Sequence, residues 1–485
     1  MPSWITLLIC AVGVWRSLAS EHDSAKRYDG YKVYRVFPGN TKDIRDVFLD
    51  MDLDVWNDAG HDGDHVIVMV SPGQQTTFKD FLKKHGISSE VFIDDVQKYI
   101  EQEEGELKYR RRRQVSSLLG QISNSYLPYN EIINMVTKIK NDASGHANVD
   151  LINYGTSSEG RTLYVAKISD GNTCKPAILI DGGFHAREWI SPATVLRFIY
   201  ELVMNSANTD LVGKFDWYII PVMNPDGYEY TRTKDRMWRK TRNVNTGNTC
   251  RGTDPNRNFD YHWDPYAGAS TNPCSEVYAG PNPLSVPETV ALSNLMNQHK
   301  DKLKLYLTVH SFGQIFLYPY GYSSTSRAPD HRELTRLANV AISAMKSYSY
   351  SVGSSGPDFS VAAGGSDDYA KGKMNIKYSY TMELPERSFI LSTSKISTVA
   401  ADAWKGIKAM ALDLSALPYS KGLPCTPAPS ATAKPTPSPA TPKATTARPT
   451  TPKAATKHPC CTYMAMYSSY GYYYTLLKRC CETYG

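Results

Sequence analysis

Alternating apolar and polar positions in Tyr31-Lys32-Val33-Tyr34-Arg35-Val36-Phe37 predict a half-buried strand, closed by Pro38-Gly39. Apolar residues at 44, 47, 48 and 51 then recur at helical spacing, so a helix over Thr41 to Asp50 follows, with Asn40 or Thr41 as its cap. Val66 to Val70 reads as a second strand, ended by Ser71-Pro72-Gly73, then Phe78 to His85 as a helix and Glu90 to Phe92 as a short strand. The alternation βαβ-βαβ suffices for a small α/β sandwich of about 80 residues. A helical, acidic run from Val96 to Leu107 leads to four consecutive arginines, 110–113.

From 114 to 423 apolar strands again pair with amphipathic helices. Strand segments are Thr162 to Ile168, Pro176 to Asp181, Phe215 to Met223, Leu303 to Val309 and Tyr378 to Glu383. Helical segments are Pro192 to Asn205, Pro287 to His299, Asp330 to Ser347 and Ile396 to Leu417. This predicts an α/β fold with a mixed, largely parallel central sheet and helices on both faces. Ligands in such sheets sit at the carboxyl ends of the strands.

The ends of the chain have other compositions. Trp4 to Trp15 is apolar throughout and Ser17-Leu18-Ala19 offers small residues for cleavage, the pattern of a secretory signal over 1–19. Twelve apolar residues are too few for a spanning helix, which needs about 20, so no transmembrane anchor is expected. Removing Cys10 with the signal leaves eight of the nine cysteines, and an oxidising compartment makes disulfides their default state. Residues 424–459 are rich in Pro, Thr, Ala and Ser without an acidic residue, a stalk that cannot bury a core. Residues 460–485 hold paired cysteines at 460/461 and 480/481 around a Tyr-rich stretch. They form either a small stapled module or a tail with intermolecular disulfides. The partner of such a module is not legible.

Charge sharpens the division. The 54 basic and 48 acidic side chains give +6, too mild for a nucleic-acid binder. Residues 21–113, however, hold 15 basic against 19 acidic side chains, so an acidic front precedes a basic body. Behind a secretory signal and between two folded units, Arg110 to Arg113 reads as a processing site for a basic-specific protease. The expected organisation is a signal over 1–19, a removable pro-segment over 20–113, a main domain over 114–423, a linker over 424–459 and a tail module over 460–485.

Candidate chemistry collects at predicted strand ends. The strand to Asp181 runs into Gly182-Gly183-Phe184-His185-Ala186-Arg187-Glu188-Trp189, and the strand to Val309 runs into His310. His185 and Glu188, three apart, can reach one metal. Two His and one Glu are a ligand set that leaves zinc a position for water.

The stretch from Phe184 to Pro192 resembles the zinc signature of the pancreatic-type metallocarboxypeptidases. The resemblance continues in order through Asn224-Pro225-Asp226-Gly227-Tyr228, Trp238 to Arg242, Asn256-Arg257-Asn258, His310-Ser311-Phe312, Leu317 to Gly321 and Tyr378 to Leu384. It spans about 118–418, and the front segment resembles the family's propeptide, a ferredoxin-like unit.

The resemblance implies one Zn2+ per catalytic domain, held by His185, Glu188 and His310. It implies Glu383 as the general base that activates water and Arg239 as the cation that stabilises the oxyanion. Asn256 and Arg257 match the clamp for a free C-terminal carboxylate, and Arg187 an accessory cation along the substrate path. Ser311 and Phe312 fall on substrate-binding positions, with Phe312 in place of a tyrosine. Cys250 and Cys274 match a family disulfide. Cys174 and Cys425 are then left to pair with each other. Substrates would be peptides and proteins with a free C-terminus, and the propeptide would act as inhibitor.

Ala362 to Asp368 (AAGGSDD) resembles the wall of the pocket for the C-terminal side chain. Family members with Asp at the Asp367 position release Lys and Arg, and those with an apolar residue prefer apolar ends. A buried carboxylate is costly unless a cation pairs with it, so a B-type enzyme is expected, secreted as a zymogen. Two departures are visible. Ser360 stands where the family has a mobile, substrate-capping tyrosine, and the segment from Asp368 to Glu383 is one residue longer than usual. Two alternatives stand beside the B-type reading: A-type specificity, and a weakly active protein that binds C-termini.

Overall fold

The computed structural model describes residues 25–39, 44–57, 65–112, 116–143, 145–172 and 174–418. The expected signal, Arg113, the stalk and the tail module lie outside the described residues.

The front segment builds β1 (Lys32–Phe37), a helix over Ile44–Asp50, β2 (Asp54–Val55), β3 (Val66–Val70), a helix over Gln75–Lys84 and β4 (Ser88–Ile93). The strands form one sheet in the order β2-β3-β1-β4, with β1 antiparallel to both neighbours and β2 antiparallel to β3. Side chains alternate between faces along a strand. Tyr34, Val36, Val68 and Val70 therefore pack with Phe48, Phe78 and Leu82 of the two helices. Val33, Ile67 and Met69 point the other way and join Met237, Phe312, Phe389 and Ile390 of the main body. Both faces of this small sheet are thus covered, one by its own helices and one by the domain it sits on. The unbroken apolar run Val66 to Val70 is explained by this double burial. The acidic run extends further than its periodicity predicts, as a helix over Val96–Arg112.

The main body carries β5 (Asn148–Thr156), β6 (Thr162–Ser169), β7 (Ala177–Gly182), β8 (Asp216–Ile220), β9 (Leu303–Ser311), β10 (Ile315–Tyr318), β11 (Ser351–Ser354) and β12 (Tyr378–Leu384). They form an eight-stranded sheet in the order β11-β10-β12-β9-β7-β8-β6-β5. The central strands β12, β9, β7 and β8 run parallel, and antiparallel pairs appear only at β10–β12, β8–β6 and β6–β5. Helices over Tyr129–Asn141, Ile190–Met204, His331–Ala344 and Ile396–Ala416 cover one face, where Ile178, Ile180, Leu305 and Leu307 point. The helix over Pro287–His299 lies on the other face, against Leu179 and Tyr306. Strands β5, β10 and β11 escape the sequence reading: two are only four residues long, and β5 is largely exposed along one edge.

Candidate active site

Strand β7 ends in two glycines. A side chain on Gly182 would come within 2.7 Å of Val195 Cγ2, and Gly183 adopts φ +69°, so the chain turns sharply against the helix that follows. That turn delivers His185 and Glu188 beside the end of β9, which is buried along its whole length and carries His310.

The three side chains converge. His185 Nδ1 lies 2.7 Å from Glu188 Oε1, His310 Nδ1 lies 3.2 Å from Glu188 Oε2, and the two Nδ1 atoms are 3.2 Å apart. Donors at about 2.0–2.1 Å from a tetrahedral zinc are separated by roughly 3.3 Å. Both the donor set and its spacing therefore fit Zn2+, and these residues are a group able to hold a metal ion. Burial pushes the Glu188 carboxyl up, but the adjoining imidazoles outweigh it and hold the group below the usual carboxylate range.

His185 Nε2 faces Asp254 Oδ1 at 3.1 Å, which leaves the Nδ1 lone pair directed at the site. Asp254 also accepts from Arg239 Nε at 3.1 Å and from its terminal nitrogen at 2.9 Å. Full burial opposes ionisation of Asp254, yet Arg239 and His185 hold its carboxyl well below its ordinary range. Sequence reasoning missed Asp254. Its only signal was a place two residues before Asn256, in the same short motif.

Glu383 stands on β12 directly in register with His310 on the parallel strand β9, which places the base candidate beside the metal candidates. Arg257 is 2% exposed and donates to the Gly268 and Asn256 carbonyls at 2.9 Å each, while Asn256 Oδ1 accepts from Ser366 N at 2.9 Å. The clamp candidates are thus tied to the pocket wall. Ser311 N donates to Glu188 Oε2 at 3.2 Å. Asp367 is 7% exposed rather than solvated. Burial pushes its carboxyl up, and among the described residues it forms no ion pair with Lys or Arg. Its neighbour Asp368 accepts from the Gly321 and Tyr322 N–H groups at 2.9–3.0 Å and so pins the loop after β10. Within the segment from Asp368 to Glu383, Tyr369–Lys373 coils as a π-helical turn, a geometry able to absorb one residue. Ser360 follows a second such turn, Ser355–Phe359.

The front segment closes over this site. Asp54 accepts from both terminal nitrogens of Arg187 at 2.7 and 3.0 Å, and the Arg187 side chain is fully buried. Trp56 packs on Phe312 and Phe389, with ring centroids 6.4 and 5.0 Å away. Arg187 and Phe312, both expected along the substrate path, are therefore occupied by the front segment. On the long helix Glu103 pairs with Arg236 at 2.5 and 3.0 Å, and Glu106 accepts from Ser392 and Thr393. Cys250 and Cys274 form a disulfide. Cys174 is also disulfide-bonded, and its expected partner Cys425 lies outside the described residues.

A two-histidine, one-carboxylate centre at the carboxyl ends of a central α/β sheet, roofed by a separate four-stranded unit, defines a metallohydrolase carried with a blocking segment. The chain matches the zinc carboxypeptidase family over residues 135–406 and the carboxypeptidase activation peptide over 34–103. It is 42% identical over 297 residues to carboxypeptidase B of Astacus astacus, covering 59% of this chain and 96% of that protein. It is 35% identical over 426 residues to carboxypeptidase B of Homo sapiens, covering 84% and 98%. The crystal structure of carboxypeptidase A from Helicoverpa Armigera aligns with a TM-score of 0.74 at 30% identity, covering 80% of this chain and 98% of that one. The chain belongs to the zinc carboxypeptidase family: it is a metallocarboxypeptidase zymogen, an exopeptidase with its activation peptide in place.

Proposed function

We propose that this zymogen is secreted, is activated by a basic-specific protease at Arg110 to Arg113, and then removes Lys or Arg from the C-termini of peptides and proteins. The organisation that goes with this reading is a signal over 1–19, a propeptide over 20–113, a catalytic domain over 114–423, a linker over 424–459 and a tail module over 460–485. Secretion is supported by the apolar leader, and among the described residues no helix is long and apolar enough to cross a membrane.

His185 Nδ1, Glu188 and His310 Nδ1 would hold the zinc, which when bound supplies Lewis acidity at the scissile carbonyl. Glu383 takes the proton of the attacking water at a carboxylate oxygen and returns it to the departing amine nitrogen. Arg239, held by Asp254, donates to the oxygen on which charge develops. Arg257 and Asn256 hold the substrate carboxylate, which selects a chain end over an internal bond. Arg187, Ser311 and Phe312 line the approach once the propeptide has left.

The observation that carries the basic preference is Asp367. A carboxylate this buried, with no Lys or Arg paired to it among the described residues, is held in an unfavourable state that an incoming ammonium or guanidinium relieves. The small residues before it keep the space open: a side chain on Gly365 would come within 2.8 Å of Asp367 Oδ1. The test is hydrolysis by the processed enzyme of matched peptides ending in Arg, Lys, Phe or Leu. Arg and Lys should be released and the D367I variant should shift to apolar ends. Release of Phe but not Arg would overturn the assignment.

A further inference from the structure

Asp367 sits on a helical turn of three residues, Ser366–Asp368. So short a helix does not hold itself, because its first hydrogen bond does not offset the order it imposes on the chain. Its place is set by what it hangs from. Besides the Asp368 bonds described above, Ser366 N donates to Asn256 Oδ1 at 2.9 Å and Ser379 Oγ on β12 donates to the Asp367 carbonyl at 2.8 Å. From β9 the Tyr306 hydroxyl donates to Ser366 Oγ at 2.9 Å. Tyr306, Ser366 and Ser379 are all fully buried, so water does not stand in for these bonds.

Tyr306 lies on the strand that carries His310 near its end. Side chains alternate along a strand, so Tyr306, Thr308 and His310 share one face. Thr308 is in register with Asp181 on β7 and with Thr381 on β12. Asp181 faces the Thr308 and Tyr306 hydroxyls, and the Thr381 hydroxyl faces the Asp367 carboxyl. A buried polar row therefore runs beneath the site, from the strand that leads to the metal-ligand turn across to the specificity wall. The Tyr306 ring is clustered with Leu179, Phe259 and Tyr369, which fixes the direction of its phenol.

We propose that Tyr306 is a positioning residue for the specificity pocket: through Ser366 it fixes where the Asp367 carboxylate stands, and so how tightly a C-terminal Lys or Arg is held. A carboxylate and a cation pair well only over a narrow range of distance and angle. A turn left to shift would lose selectivity before it lost chemistry, since Arg257 keeps its own bonds to the Gly268 and Asn256 carbonyls. The inference rests on the basic preference proposed above.

The measurement is kcat and KM of processed wild type and Y306F on matched peptides ending in Arg, Lys and Phe, with zinc affinity read by competition with a chelator. Y306F removes one hydroxyl and keeps the ring in its cluster. Losing one neutral hydrogen bond should raise KM for Arg and Lys ends about 3- to 10-fold. The values of kcat, the constants for Phe ends and the zinc affinity should stay as they are. S366A should give the same loss, and Y306F should cost nothing further once D367N has removed the charge. Should Y306F fail to fold, S366A reads the same bond from its other end. An equal loss on Arg and Phe ends, the result of general loosening, overturns the inference. Wild type that takes Arg and Lys with a selectivity that Y306F and S366A leave unchanged overturns this inference alone. Wild type that refuses Arg and Lys overturns the basic preference and this inference with it, so the two failures are distinguishable.

Discussion

Replacing Asp54 by Asn tests how the zymogen is kept closed. Asp54 offers both carboxylate oxygens to Arg187, whose side chain is fully buried while that of Asp54 is 13% exposed. Asn keeps one acceptor and loses the charge. Hydrogen bonds to charged groups contribute about 1.5–3 kcal/mol, so losing one of the two weakens closure by about 2–3 kcal/mol. At 1.4 kcal/mol per tenfold, the open fraction of the unprocessed protein should rise about 30- to 150-fold. The propeptide should stay docked for most of the time, because Trp56 between Phe312 and Phe389 and the Glu103–Arg236 pair are untouched. The assay is peptide hydrolysis by full-length zymogen, with mass spectrometry showing that no cleavage at the arginine run has occurred. D54N should show a raised basal rate and, after processing, the same activity as wild type. An unchanged basal rate, with equal processed enzymes, would refute the reasoning.

Other substitutions probe the site and its frame. D254N should weaken zinc binding about 10- to 100-fold, read by competition with a chelator, because a neutral amide with one oxygen replaces the charged acceptor that orients His185; kcat should fall as well, since the same single oxygen cannot also serve Arg239. Changing Cys250 and Cys274 together to Ala opens a loop of sequence separation 24 and should cost about 3 kcal/mol, seen as a Tm lower by several degrees. His299 stacks on Tyr218 at 4.4 Å, and burial, aided by Lys302 and Lys167, lowers its pKa below 6.5. The unfolded chain then binds the proton more readily, so the stabilisation is complete above about pH 6.5 and is lost as pH falls through that value towards the folded pKa. Denaturant unfolding of H299Q against wild type should show a flatter pH dependence there, and parallel curves would count against it.

Much of the site was readable because its parts are local. His185 and Glu188 share one turn after a buried strand, and His310 ends the longest buried strand of the sheet. Periodicity located the central strands and four of the helices around the sheet, Pro287–His299 without error at either end, but not the helix over Tyr129–Asn141. Short or exposed strands such as β10, β11 and β5 carry too little pattern to be read. The contacts between distant residues around the site were invisible for a different reason. Asp54 meets Arg187 across 133 positions, Glu103 meets Arg236 across 133, and Asp254 meets His185 across 69.

By itself, then, the sequence determined the strands and helices that mark two folded units and the three residues that come together as a group able to hold a metal ion, because apolar period and short motifs are properties of neighbouring residues. Only the tertiary structure decided that the front sheet buries its second face on the catalytic domain, and that Asp54 and Glu103 of the front segment pair with Arg187 and Arg236. Charge pairing between distant segments has no period along the chain, and it exists only where packing brings the partners together.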